Sequence, residues 1–293
     1  SLRKIMLHKI KSLSFLLFFF IIVGCGTEVP PDNEKKLRIT AIPDENPTEL
    51  LRKATPLMKY LERETGLEVE FFPVTDYSAA VEALVNRKVD LAWYGGFTFV
   101  QAFQRSGGNV VPIVQREEDS KFRSVFITSD PSIKSLNDLN GVTFSFGSQS
   151  STSGHLMPRT FLQAAGVNPE SDFKKIAYSG AHDATVASVG SGKVQAGALN
   201  QKVWEKLKNE NRVPKGTRVF FTTPNYFDYN WTVHKEVNKE TIKNITDAFL
   251  KLDNEIESDR VILELQRATK FIPTNVKNYE GIEKAAKKAG LLN

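Results

Sequence analysis

The sequence predicts an α/β protein made of two similar lobes. Two observations carry that prediction. From Leu37 onward strand and helix patterns alternate, which argues for sheets of parallel strands with helical crossovers. One strand–helix–strand unit also occurs twice. Tyr77-Ser78-Ala79-Ala80-Val81 leads through a helix to Lys88-Val89-Asp90-Leu91-Ala92, and His182-Asp183-Ala184-Thr185-Val186 leads through a helix to Lys193-Val194-Gln195-Ala196-Gly197. In both copies the leading residue lies 12 positions before the Val that opens the strand. Tyr77 and His182 thus fall at equivalent helix N-termini. Ligands of open α/β sheets gather at the carboxyl ends of strands, so two facing lobes would turn both residues into one cleft.

Taken in order, Leu37 to Ile42 alternates apolar and polar residues and reads as a strand. A helix follows from Glu49 to Glu64, punctuated by Pro56 and ended by Gly66. Leu67 to Phe72 is a strand, Ala79 to Arg87 a helix and Val89 to Trp93 a buried strand. The second series runs Val142 to Phe146 (strand), Ser153 to Ala165 (helix), Phe173 to Tyr178 (strand), Ala184 to Val189 (helix) and Val194 to Leu199 (strand). The last stretch is mainly helical, over Lys239 to Glu255, Asp259 to Ala268, and Tyr279 to Ala289 before Gly290.

The N-terminal segment is of another kind. Arg3, Lys4, Lys9 and Lys11 precede the apolar run Leu13 to Val23, and no acidic residue occurs in residues 1–24. Eleven residues cannot span a bilayer, which takes about 20 in a helix. The pattern is that of an export signal. It ends at Ile22-Val23-Gly24-Cys25, which resembles the lipobox of bacterial lipoproteins and makes Cys25 the expected lipidation site. Residues 25–36, with Pro30, Pro31, Glu34 and Lys35, read as a tether from the membrane surface.

Composition narrows the chemistry. Cys25 is the sole cysteine, so an intramolecular disulfide, a cysteine-based metal cluster and a cysteine nucleophile in the folded body are all excluded. The net charge of +5 is a property of the leader. Without its four basic residues 35 Lys and Arg face 34 Asp and Glu, and nothing points to nucleic acid as a partner.

The stretch Gly147-Ser148-Gln149-Ser150-Ser151-Thr152-Ser153-Gly154 places a run of hydroxyls where a strand hands over to a helix. The first N–H groups of a helix lack intrahelical partners and carry partial positive charge, so Ser151, Thr152 and Ser153 form a candidate anion site. The plainer reading is a helix N-cap, which one Ser or Thr already supplies.

Five strings in this order resemble the phosphonate-binding branch of the two-lobed periplasmic solute receptors of ABC transporters: Thr75-Asp76-Tyr77, Val89 to Gly95, Ser150 to Gly154, Gly180 to Ala184, and Phe227 to Trp231. The resemblance spans about Leu37 to Phe271 and implies a type II periplasmic-binding-protein fold. Its lobe one would hold residues 37–128 plus 225–293 and its lobe two 129–224, with crossings near Thr128 to Pro131 and Thr222 to Asn225. It further implies a small phosphorus oxyanion held by Ser151, Thr152, Ser153 and the His182 imidazole from lobe two. Tyr77 and Tyr94 would donate phenol O–H groups from lobe one, and Asp228 would stand near the ligand's substituent. An ionised Asp228 would tolerate a ligand with a P–OH and repel sulfate.

An aminoalkyl phosphonate would want carboxylates at the far end of the pocket, where Asp228 is the one placed and Asp44 and Glu45 are secondary candidates, which ranks phosphite or a short alkylphosphonate first. Trp231 reads as core, Asn200 as a candidate cleft residue, and His155 as a helix-surface or supporting group. The implied partners are permease subunits and, through the lipid, a membrane surface. The chain is expected to act as an exported, membrane-anchored monomer without a cofactor. The alternative in the same fold is a receptor or sensor domain for a sulfonate or phosphate.

An enzyme reading fares worse. Gly147 to Ser151 fails the Gly-x-Ser-x-Gly nucleophile elbow at its last position, leaving only an unordered Ser153, His182 and Asp228 constellation. After the leader, only His155, His182 and His234 remain, with no close pair for zinc.

Overall fold

The computed structural model describes residues 36–292. The expected leader, Cys25 and the tether up to Lys35 lie outside the described residues, whereas Lys36 already opens the first strand.

Lobe one begins with β1 (Lys36–Ala41), α1 (Pro47–Thr65), β2 (Glu68–Phe71), α2 (Tyr77–Val85), β3 (Leu91–Tyr94), α3 (Gly96–Arg105) and β4 (Val110–Arg116). The chain crosses to β5 (Ser124–Thr128), β6 (Thr143–Phe146), α4 (Met157–Ala164), α5 (Pro169–Asp172), β7 (Lys175–Tyr178), α6 (His182–Gly190), β8 (Ala196–Asn200), α7 (Gln201–Asn209) and β9 (Arg218–Thr222). It returns through β10 (Asn230–His234), α8 (Lys239–Lys251), α9 (Glu257–Leu265), β11 (Phe271–Pro273) and α10 (Glu280–Lys288).

The repeated unit is visible in the topology. β1 pairs in parallel with β2 and β3, and β6 pairs in parallel with β7 and β8, so each lobe has a parallel trio with its first strand in the middle. The expectation of parallel sheets holds for these trios alone. The six-stranded sheet continues β3-β10-β4-β11 and the five-stranded sheet continues β8-β5-β9, all antiparallel. Of these added strands, β4, β5, β9 and β10 flank the two crossings along the chain, whereas β11 comes after the C-terminal helices α8 and α9.

The expected first crossing at Thr128 is also corrected. Ser124–Thr128 hydrogen-bonds along its length to β8 and β9, so the second sheet already begins at Ser124. The two crossings run side by side at Phe122 and Tyr226, each backbone N–H donating to the other residue's carbonyl at 2.9 and 3.0 Å.

Local chemistry sets the helix starts that face the cleft. Asn46 caps α1 by accepting from Glu49 N, with Pro47 in the first helical position, and Gly66 ends it at φ 71°. Asp76 caps α2 by accepting from Ala79 N at 2.8 Å. The period of two along β5 sends Phe126 into one apolar cluster of lobe two and Val125 and Ile127 into the other, so both faces of that sheet are covered.

Candidate binding site

Helices α2, α3 and α6 and the turn leading into α4 all start at the carboxyl ends of strands, and their N-termini meet between the lobes. The hydroxyl loop does not enter an ordinary α-helix. Thr152–Leu156 forms a π-turn, with Leu156 N donating to Ser151 O at 3.0 Å, before α4 begins. Ser151 caps this turn by accepting from Gly154 N at 2.9 Å, which leaves its own O–H proton free to donate. Ser151, Thr152 and Ser153 are all buried.

Thr152 reaches across to lobe one. Helix α3 begins after Gly95, which has no side chain to cap it, and its first two N–H groups are satisfied from outside. Gly96 N donates to Asp228 Oδ1 at 3.1 Å and Phe97 N donates to Thr152 Oγ1 at 2.9 Å. Thr98 Oγ1 adds a bond to the Ser150 carbonyl at 3.0 Å. The approach is close enough that a Cβ on Gly95 would lie 2.8 Å from Thr152 Oγ1 and 3.1 Å from Asp228 Oδ1.

Asp228 is fully buried, and its backbone N donates to the Asp119 carbonyl at 3.0 Å. Burial raises its carboxyl to about 7, against the lowering effect of the Gly96 N–H. An ionised and a protonated form are therefore both accessible at neutral pH. Tyr77 opens α2 and is buried; burial first, then the Asp44 carboxylate, push its phenol well above the ordinary value and keep it a neutral donor. Tyr77 Oη, Ser153 Oγ and Asp228 Oδ2 are buried without a hydrogen-bond partner. Three such atoms together are costly unless a polar ligand engages them.

His182 opens α6, as the internal repeat predicts, and its backbone N donates across the cleft to the Asp44 carbonyl at 2.9 Å. Asn200 N donates to its Nδ1 at 3.3 Å, which places the ring proton on Nε2, and Nε2 lies 3.1 Å from Tyr229 Oη. Burial lowers His182 to about 4, so the ring is neutral. Asn200 Nδ2 also donates to Tyr229 Oη, at 2.9 Å. With two donors on its oxygen, Tyr229 must direct its own O–H elsewhere. Tyr229 was not singled out in the sequence; it is one aromatic among several in Phe227–Trp231, and only its pairing with His182 and Asn200 distinguishes it.

Tyr94 is a correction. Its hydroxyl donates to the Ala80 carbonyl at 2.7 Å, inside lobe one, so it is a core residue and offers the cleft no donor. Trp231 is core, as expected, packed 5.3 Å from the rings of both Trp93 and Phe249. His155 is buried and not on a helix surface. It sits 2.7 Å from the Gln149 carbonyl through Nδ1 and accepts from Arg159 Nε at 3.0 Å through Nε2, so it braces the hydroxyl loop. Asp44 and Glu45, the secondary carboxylate candidates, line the lobe-one wall beside Tyr77 and His182, where Lys53 and Arg267 pair with both.

Two α/β lobes joined by paired crossings, with donors from both converging on a buried cleft, define a type II periplasmic solute-binding protein, the receptor component of an ABC importer. A family model described as the periplasmic substrate-binding protein of phosphonate ABC transporters matches residues 39–279, and the chain belongs to that family. It is 38% identical over 269 residues to a probable ABC transporter phosphite-binding protein, PhnD1, of Prochlorococcus marinus, covering 87% of this chain and 90% of that protein. The crystal structure of PhnD1 in complex with methylphosphonate superposes with a TM-score of 0.84 at 37% identity, over 89% of this chain and 100% of that one. A binding-protein component of an ABC phosphonate transporter from Pseudomonas aeruginosa shares the fold, with a TM-score of 0.79 at 22% identity over 87% of this chain and 86% of its own.

Proposed function

We propose that this protein captures a small phosphorus oxyanion, phosphite or a short alkylphosphonate, between its lobes and presents it to an ABC permease. The observation that carries the reading is the hydroxyl-rich turn at Ser151–Ser153 of lobe two, set against lobe one, with Ser153 Oγ on its side and Tyr77 Oη and Asp228 Oδ2 on the other all buried and unpartnered. In this reading Ser151, Thr152 and Ser153 hold the oxyanion with their hydroxyls and the N–H groups of the turn, and Tyr77 donates from the other wall. Tyr229 takes the donor role expected of Tyr94, and His182 acts through Tyr229 by filling one of its lone pairs. Asp228 shares one proton with the ligand: its carboxylate accepts from a P–OH, and its protonated form donates to a bare oxygen.

Several charge-assisted hydrogen bonds of about 1.5–3 kcal/mol each, less ordering and association costs, correspond to a Kd near or below about 1 μM. The protein is read as a receptor and not as an enzyme. His182 has both ring nitrogens engaged by Asn200 and Tyr229, so it is not poised to activate Ser153. A monomer suffices, since one chain supplies every donor. Lipidation at Cys25 completes the reading, supported by Ile22-Val23-Gly24-Cys25 after a basic and apolar leader.

Native mass spectrometry of the protein purified without denaturation tests the assignment. The released ligand should be phosphite or a small alkylphosphonate. Recovery of a sulfonate or an amino acid would overturn it.

A further inference from the structure

Away from the hydroxyl loop, a second set of contacts ties the lobes together. Lys206 projects from α7 in lobe two, and its Nζ lies 2.6 Å from Glu45 Oε2 and 2.6 Å from Glu49 Oε2 in lobe one. Among the described residues these are the ion pairs that join the lobes; the others lie within one lobe or the other. Each carboxylate already has cations of its own lobe: Glu45 has Lys53 at 2.9 Å and Arg267, and Glu49 has Arg52 at 2.8 Å. Burial works against ionising Glu45, yet Arg267, Lys53 and Lys206 together hold its carboxyl far below the ordinary value. Arg52 foremost, with help from Lys206, keeps Glu49 at about 2. Both are therefore ionised at neutral pH, ready for Lys206 whenever the lobes meet.

The position matters as much as the strength. Glu45 and Glu49 sit on either side of Asn46, which caps α1 and donates to Asp183 Oδ2 of lobe two at 3.2 Å from its backbone N and 3.1 Å from Nδ2. Asp44, on the other side of Glu45, accepts from His182 N. The start of α1 is thus held to lobe two at four successive points: Asp44, Glu45, Asn46 and Glu49. The side chain of Lys206 is 13% exposed, so these pairs are screened far less than surface pairs. None of the groups that form the oxyanion site is part of this set except the His182 backbone.

We propose that Lys206 is the cation of an interlobe latch, a positioning residue that holds the closed state and sets how long the oxyanion stays bound. The ligand brings the lobes together, and Lys206 then seats between Glu45 and Glu49 and resists reopening. Because it acts after closure, it governs the off-rate and leaves the on-rate to the open cleft. This inference rests on the proposed capture of a phosphorus oxyanion.

The test is stopped-flow binding of phosphite to the signal-free protein. Lys206→Met keeps most of the side chain's length and removes its charge. Its off-rate should rise at least about tenfold with the on-rate within about threefold of wild type. Lys206→Arg should restore an off-rate within about threefold of wild type, which a merely steric role would not predict. Glu49→Gln should raise the off-rate in the wild-type background and add little to Lys206→Met. Glu49→Gln also keeps the latch testable if Lys206→Met fails to fold. An off-rate unchanged in both Lys206→Met and Glu49→Gln, or fully multiplicative effects of the two, would overturn the latch. If wild-type protein does not bind phosphite at all, the capture reading fails, and the two failures are distinct.

Discussion

Thr152→Val removes one hydroxyl at nearly constant shape and strikes two interactions at once. In the closed protein Thr152 Oγ1 accepts from Phe97 N at 2.9 Å, and both groups are buried. Valine leaves that N–H without an acceptor, at about 1–3 kcal/mol, and removes a donor to the charged ligand, at about 1.5–3 kcal/mol. Together these correspond to a Kd raised by about two to four decades. The Phe97 N–H can be hydrated when the lobes part, so the penalty belongs to the closed, ligand-holding state. Without ligand, Tm should change little. Titration calorimetry with phosphite reads the effect, and Thr152→Ser, which keeps the hydroxyl, should stay within about tenfold of wild type. A Thr152→Val Kd within threefold of wild type would reduce the hydroxyl loop to a helix cap and refute the reasoning.

Three further outcomes follow from the same geometry. Gly95→Ala puts a methyl 2.8 Å from Thr152 Oγ1 and 3.1 Å from Asp228 Oδ1, so overpacking of about 1–3 kcal/mol should weaken phosphite binding about ten- to hundredfold; unchanged calorimetry would show that the lobes do not close this tightly. Tyr94→Phe should leave phosphite affinity unchanged and lower the unfolding free energy by about 0.5–1.5 kcal/mol through loss of the bond to the Ala80 carbonyl; a tenfold loss of affinity would return Tyr94 to the cleft. The folded-state value of Asp228, raised from 3.8 to about 7, means the native protein keeps a proton that the unfolded chain releases. Wild type therefore loses stability as pH rises through that window, and the Tm advantage of Asp228→Asn should be larger at pH 8 than at pH 5; a difference independent of pH would contradict the assignment.

Much of the fold was legible because its signals are local. Gly66 marks the end of the helix just before it, and the spacing from Tyr77 to Val89 repeats from His182 to Val194, whereas the caps Asn46 and Asp76 set the helix starts two residues ahead of the expected Glu49 and Ala79. What escaped is non-local. Ser124–Thr128 falls before the crossing expected near Thr128, and only its pairing with β8 and β9, dozens of residues later, assigns it to the second sheet. Tyr94 stands at the end of a strand buried on both faces, so no period tells the core side from the cleft side. The roles of Tyr229 and Lys206 depend on partners 47 and 161 residues away, and nothing in their own surroundings announces them. The structure also changes the expected action of Asp228. A carboxyl that burial brings to about 7 is a shared-proton site, so its exclusion of sulfate must strengthen as pH rises and it ionises.

The central claim is that the cleft selects a phosphorus oxyanion, and calorimetry of the signal-free protein at pH 8 against phosphite, methylphosphonate, phosphate and sulfate tests it most directly. The account predicts binding of phosphite or methylphosphonate with a Kd near or below about 1 μM, weaker binding of phosphate, and the weakest binding for sulfate, with Asp228→Asn narrowing the gap to sulfate. Sulfate or phosphate binding as tightly as phosphite and methylphosphonate would contradict it.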